Sequence, residues 1–363
     1  MLKSILTTNA AGLLGAVFVM LAPLVQATEY SAVTPSYRMQ FPRDHGAHPL
    51  FRTEWWYITG QARDESGKSF GFQITFFRTR TGIGENSKSQ FAPTQLIMAH
   101  AAISDPLHGK LRHDQRLTRS GLNLAYANPD RTDVQLGNWS LKQTQRGFTA
   151  SIPASEFTLN LSFTPTLSPL LQGQDGQGFS QKDPDRRHAS YYYSLPQLVI
   201  SGSVTRGRET SKVSGRAWMD HEWSSEYIAP AAQGWDWLGV NLDDGGALMV
   251  FRMRAKDGKP LWSAGTWLKP DGSTVRFDSK DIDFTPQSHW RSPRSNASYP
   301  VALDVRTGNT SWRIEALMPD QELDARASTG TVYWEGAISV SSHGKRVGAG
   351  YLELTGYDKP MRF

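Results

Sequence analysis

Beyond residue 27 the apolar residues of this chain recur with a period of two almost throughout. Residues 70–77, 157–163, 198–204, 247–253, 312–317 and 337–340 are short runs of apolar and β-branched side chains, several alternating with polar ones. No stretch longer than about twelve residues holds the apolar period of a helix. Between the runs stand turn signals such as Asp64-Glu65-Ser66-Gly67, Asp243-Asp244-Gly245-Gly246, Lys256-Asp257-Gly258-Lys259 and Pro270-Asp271-Gly272, the residues that reverse a strand. The chain is therefore an all-β protein of antiparallel meanders. Such a chain must protect its sheet edges, and closing into a barrel does so most completely, with a sandwich as the competing architecture.

A weak internal repeat divides the 363 residues. Trp55-x-Tyr57 recurs as Trp235-x-Trp237, Phe77-Arg78-x-Arg80 as Phe251-Arg252-x-Arg254, Trp139 as Trp290, Gly202-x-Val204 as Gly336-x-Ile338, and Gly215-x-x-Trp218 as Gly348-x-x-Tyr351. The order is kept while the offset falls from 180 residues at Trp55/Trp235 to 133 at Trp218/Tyr351. Two homologous β-units are expected, residues 28–224 and 225–363. The first carries about forty extra residues in loops, among them the Gly/Gln/Asp-rich stretch 172–187.

Residues 1–27 have a different character. Lys3 is their one charge, an apolar stretch follows over 10–24, and Val25-Gln26-Ala27 offers the small residues a signal peptidase requires. The stretch is short for a membrane span, so it reads as a secretory signal cut after Ala27, with an uncleaved anchor as the alternative. This predicts a periplasmic or secreted protein. Loss of Lys3 with the leader would take the formal charge from +5 to +4. The absence of cysteine excludes disulfide scaffolds, cysteine-ligated zinc and thiol nucleophiles. The 39 basic and 34 acidic residues are scattered, without the clustered basic face of a nucleic-acid binder. The mild basic excess leaves room only for peripheral contact with an anionic membrane.

The chain has no Gly-x-Ser-x-Gly elbow, no His-Glu-x-x-His, no phosphate loop and no dinucleotide fingerprint. Its most unusual stretch is Trp218-Met219-Asp220-His221-Glu222-Trp223. On a strand, His221, Trp223 and Met219 share one face and Asp220, Glu222 and Trp218 the other. This is either a histidine beside an indole wall with carboxylates behind it, or a strand end whose histidine and acids pair locally. In the functional case His221 and Trp223 face a cavity or the cleft between units, sharing a polar network with Glu54, His100 or Asp236. Arg52-Thr53-Glu54-Trp55-Trp56-Tyr57 puts aromatics on both faces of one strand, and Glu54 either pairs with a base such as Arg78 or lines a polar site. His100, among the alanines of 99–102, is either a satisfied core histidine or faces a ligand. His45 and His48 lie in a loop, and no further ligands for a metal can be assigned to them from sequence.

Glu54-Trp55-Trp56-Tyr57-x-Thr59-Gly60, Ala99-His100-x-Ala102-x-Ser104-Asp105, Gly215-x-Ala217-Trp218-Met219-Asp220-His221-Glu222-Trp223 and Gly234-Trp235-x-Trp237 together resemble the AttH and carotenoid hydratase (CrtC) family, from about Tyr37 to the C-terminus. The resemblance implies two tandem lipocalin-like antiparallel barrels. It also implies a choice of activities. One is binding of an apolar lipid or isoprenoid ligand, in some secreted members linked to ABC export systems. The alternative is a cofactor-free hydratase or hydrolase. For the hydratases it implies acid-catalysed addition of water to an isoprenoid double bond, with a histidine and a tryptophan matching His221 and Trp223. Asp220 stands beside them, and Asp236 is a positional match for a downstream aspartate. Glu54, Trp56, Tyr57, His100, Trp235 and Trp237 are the candidate ligand-contacting residues, and neither metal nor cofactor is called for.

Overall fold

The computed structural model describes residues 28–361; the leader read in residues 1–27 lies outside them. Among the described residues everything regular is strand, apart from two single-turn 3-10 segments. The first sheet contains β1 (Thr53–Asp64), β2 (Ser69–Arg80), β3 (Gln95–Ser104), β4 (Arg112–Arg119), β5 (Ala125–Ala127), β6 (Asp133–Leu136), β7 (Trp139–Thr144), β8 (Gly147–Pro153), β9 (Phe157–Thr164), β10 (Leu170–Leu171), β11 (Phe179–Gln181), β12 (Ala189–Arg206) and β13 (Glu209–Glu226). The second contains β14 (Ala232–Leu242), β15 (Ala247–Ala255), β16 (Pro260–Leu268), β17 (Thr274–Phe277), β18 (Ile282–Arg291), β19 (Ser298–Thr307), β20 (Thr310–Ala316), β21 (Glu322–Ala325), β22 (Thr331–Ser342) and β23 (Lys345–Leu354).

All pairings are antiparallel. The first sheet runs β4-β3-β2-β1-β13-β12-β9-β8-β7-β6-β5, and β3 and β4 return against β5 and β6, so the sheet nearly closes into a barrel. The second runs β17-β16-β15-β14-β23-β22-β20-β19-β18, with β16 packed against β18. In each unit the first strand lies between the second strand and the last: β1 between β2 and β13, β14 between β15 and β23. Trp55 and Trp235 thus sit on equivalent strands.

Cross-strand register shifts the repeat by two residues on this strand. Trp55 faces Phe77 and Glu222; its counterpart facing Phe251 and Glu353 is Trp237. Glu54 opposite Arg78 likewise matches Asp236 opposite Arg252. A slip of two residues keeps every side chain on the same face, so sequence similarity alone does not resolve it.

Among the described residues four apolar clusters form, and three of them follow directly from the alternation. Trp56, Ile58, Phe76, Met219 and Trp223 fill the first barrel, while Leu238, Val240, Trp312 and Leu352 fill the second. The opposite faces of the same strands, with Tyr57, Trp218, Trp237, Phe251 and Tyr351, form a third core between the units. Strands covered on both faces need large apolar side chains on both, which accounts for the 11% aromatic content. The packing is close enough that a Cβ on Gly71 of β2 would collide with that of Ala337 on β22. Polar staples cross the same interface: Gln61 Nε2 donates to the Ile338 carbonyl (2.7 Å), and Gln197 Nε2 to those of Leu242 (2.9 Å) and Gly246 (2.7 Å).

Candidate functional site

The two faces of β1 and β13 carry two separate clusters. Inside the first barrel Glu54 is fully buried. Its Oε2 accepts from Arg78 Nε (2.9 Å) and the His48 backbone N–H (2.8 Å); its Oε1 lies 2.7 Å from His48 Nδ1 and 2.9 Å from His221 Nε2. Burial resists a charge on Glu54, but His48 and Arg78 prevail and hold its carboxyl well below the usual range. Burial likewise opposes protonation of His48, yet Glu54 and Asp44 raise it. The His48 ring stacks on Trp223 with centroids 3.7 Å apart, and an indole face favours the protonated form of the ring in the same direction. His221 is lowered by burial against the pull of Glu54. Its Nε2 lies 2.9 Å from Glu54 Oε1 and its Nδ1 3.1 Å from both the Asp44 carbonyl and the Tyr193 hydroxyl, so an acceptor faces each ring nitrogen.

His48, Glu54 and His221 bring their ligand atoms within 4.8 Å of one another. The donor set suits a cation poorly, because Arg78 already occupies Glu54 Oε2 and both imidazoles are directed at Oε1. The cluster is a closed ion-pair network. His48 joins it from the loop before β1, a closeness between loop and strand that no spacing in the sequence signals.

On the opposite face lies a cleft between the units, with about 1040 Å³ of empty space including the solvent at its mouth. Equivalent cross-strand rows wall it from the two sides: Phe77–Trp55–Glu222 in the first unit, Phe251–Trp237–Glu353 in the second. Tyr227 lies between Trp55 (centroids 5.3 Å) and Trp235 (6.3 Å), and the Tyr57 ring meets Trp237 edge-on at 5.3 Å. Lys182 reaches in from the segment between β11 and β12, pairs with Glu222 at 2.8 Å and lies 4.3 Å from the Phe251 ring centroid.

Four carboxyl groups line this apolar space: Asp220, Glu222, Glu335 and Glu353. Burial pushes Asp220 up to about 7, against the hydroxyls of Ser194 and Tyr192 and the Trp218 indole. Glu335 and Glu353 are directly opposite each other on β22 and β23. Burial and its neighbour's charge carry Glu335 well above the ordinary carboxyl range, and burial pushes Glu353 up to about 8. His100, pushed down to about 3 by burial, is neutral and held between Tyr333 Oη and Ser328 Oγ, each 2.7 Å away.

Of the residues expected from sequence, Asp220, Tyr57, His100, Trp235 and Trp237 line the cleft. His221, Trp223, Trp56 and Glu54 lie on the other face, inside the first barrel. The expected link between His221 and Glu54 exists, but neither residue faces the cleft; their strand face is the barrel's interior. Asp236 is inside the second unit, held by Arg252 (2.6 Å), Arg254 (2.9 Å) and Tyr357 (3.0 Å). The sequence reading missed Lys182, Tyr227, Tyr333, Glu335 and Glu353. A signal existed for one pair: Glu335 interrupts the apolar run Val332-Tyr333-Trp334-Glu335-Gly336-Ala337-Ile338, as Glu353 interrupts Tyr351-Leu352-Glu353-Leu354.

The family model AttH, described as AttH-like, matches residues 32–357. The chain belongs to the AttH-like family. Among solved structures this AttH-like chain is similar to a Nitrosomonas europaea protein described as AttH, with 48% identity over 90% of this chain and 99% of that one and a TM-score of 0.85. It shares its fold with kievitone hydratase from Nectria haematococca, at 15% identity over 92% of this chain and 97% of that one with a TM-score of 0.69. A search of curated proteins finds no match.

Proposed function

We propose that the chain is a cofactor-free enzyme of the hydratase type, adding water to, or removing it from, an apolar unsaturated molecule held in the cleft between the units. The observation that carries the reading is a set of carboxyl groups beneath an aromatic wall, Asp220 and Glu335 buried and Glu353 half-buried, each pushed above its ordinary range by burial. A carrier of apolar ligands needs the wall alone, and burying carboxyl groups in it only costs stability. A hydratase uses both. A neutral carboxyl gives its proton to one alkene carbon, the π pair becoming the new C–H bond. The cation left on the other carbon is stabilised by indole faces. Water adds there, and its surplus proton returns to a carboxylate. Membership of the AttH-like family and a fold shared with a hydratase support the reading. His221 and Trp223 then act as structure, through the Glu54 network.

The test is incubation of the purified protein with terpenoid alkenes in ¹⁸O-labelled water, read by mass spectrometry. Incorporation of the label into a product is expected. Recovery of tightly bound but unchanged compounds would instead identify a binding protein.

A further inference from the structure

We infer that the proton of this reaction sits on the Glu335–Glu353 pair, which no sequence motif marks, and that the Tyr57 hydroxyl holds the oxygen being added or lost. The inference rests on the reading of the cleft as the reacting site and assigns its groups.

The two acids of the 218–223 motif are both committed as acceptors. Asp220 takes three hydrogen bonds: from Trp218 Nε1 (2.7 Å), Ser194 Oγ (2.6 Å) and Tyr192 Oη (2.7 Å). An indole can only donate. The Tyr192 hydroxyl accepts from Trp237 Nε1 (3.0 Å) and the Ser194 hydroxyl from Gln172 Nε2 (2.9 Å), which turns both hydroxyl protons toward Asp220. Glu222 receives the Lys182 ammonium and the Ser190 hydroxyl. Three protein donors thus face Asp220 and two face Glu222 Oε1, so each acid is met by donors of the protein itself before any ligand arrives.

Glu335 and Glu353 differ. They face each other across one strand pair, 2% exposed in the case of Glu335, and two carboxyl groups so placed share a proton because both cannot ionise together. The Trp235 indole donates to Glu353 Oε1 (3.2 Å), while Glu335 Oε1 completes no hydrogen bond. The Tyr57 hydroxyl, on the facing unit, is buried and completes none either. Tyr57 and Tyr333 are the hydroxyls nearest to Glu335 in effect on its charge, and His100 fixes Tyr333 at 2.7 Å. The Tyr57 hydroxyl and Glu335 thus face each other across the cleft without closing a hydrogen bond, and an apolar ligand bearing one hydroxyl or carbonyl would be held between them. In the forward step the shared proton passes to the alkene carbon, Tyr57 accepts a hydrogen bond from the water that adds, and the water's second proton restores the pair.

The test uses two probes of one shape, geraniol and the geranyltrimethylammonium cation, titrated against the intact protein by quenching of the cleft tryptophans. The cation imitates the carbocation. Its affinity should rise about tenfold between about pH 6 and about pH 9 as the pair ionises, while geraniol binds equally at both. The other titratable groups facing the cleft are Asp220, Glu222, Lys182, His100, Tyr227 and Tyr333. Glu335→Gln and Glu353→Gln should each abolish the rise and leave geraniol binding. A rise that survives both and vanishes in Asp220→Asn, or a cation affinity flat with pH in the wild type, overturns the assignment while leaving the cleft as the site. Failure of both probes to bind overturns the site and the assignment together.

Discussion

Replacing His221 by alanine separates the structural role read here from a reacting one. The ring is fully buried, stacked on Trp56 at 4.7 Å and flanked by Trp223 at 5.0 Å and Tyr193 at 5.4 Å. Removing it leaves a cavity among rigid aromatics, the kind that collapses poorly, at about 2–3 kcal/mol. The substitution also takes one partner from the Asp44 carbonyl, and one each from Glu54 Oε1 and the Tyr193 hydroxyl. The last two keep another, His48 and His45 respectively, so this part costs about 1 kcal/mol. The sum, about 3–4 kcal/mol, corresponds to a fall in Tm of about 10 °C for a unit of this size. Urea unfolding followed by near-UV circular dichroism measures it, with the midpoint moving and the slope unchanged. The folded fraction should still bind geraniol. A loss below about 1 kcal/mol together with lost ligand binding would refute the argument and return His221 to the reacting site.

Glu54→Gln should cost about 3–5 kcal/mol in the same assay, because Arg78 is left as a buried cation without its counter-charge; a change under about 1 kcal/mol would show the network to be dispensable. Glu353 ordinarily titrates near 4.5 and is pushed up to about 8 in the fold. The folded state therefore keeps a proton the unfolded chain releases, stability falls as pH rises from about 4.5 to about 8, and Glu353→Gln should flatten that fall in melts recorded across the range. Trp55, half-buried at the cleft, should on change to alanine weaken geraniol by about tenfold or more with little effect on Tm, as calorimetry would report. The leader reading predicts that N-terminal sequencing of exported protein starts at Thr28 or close to it.

The period of two in the sequence was enough to make the chain all-β, and the repeat pair Trp55 and Trp235 falls on strands with corresponding places in the two sheets. The same period sorted Trp218-Met219-Asp220-His221-Glu222-Trp223 into its two faces, and the structure keeps that sorting. What each face meets is a different matter. Alternation states which side chains point together but carries no information on whether that side is a barrel's interior or the seam between two units. The strand is buried on both sides, so polarity gives no hint either. Only tertiary packing puts His221 with Glu54 and His48 in a closed ion network, and Asp220 in the cleft. Strand register decides the rest: the pairing of Trp237 with Phe251 and Glu353 moves the repeat by two residues, and the β22–β23 hairpin sets Glu335 opposite Glu353. Glu335 and Glu353 stand on the two strands of one hairpin, and a proton is shared between them because folding holds both carboxyl groups in one apolar space.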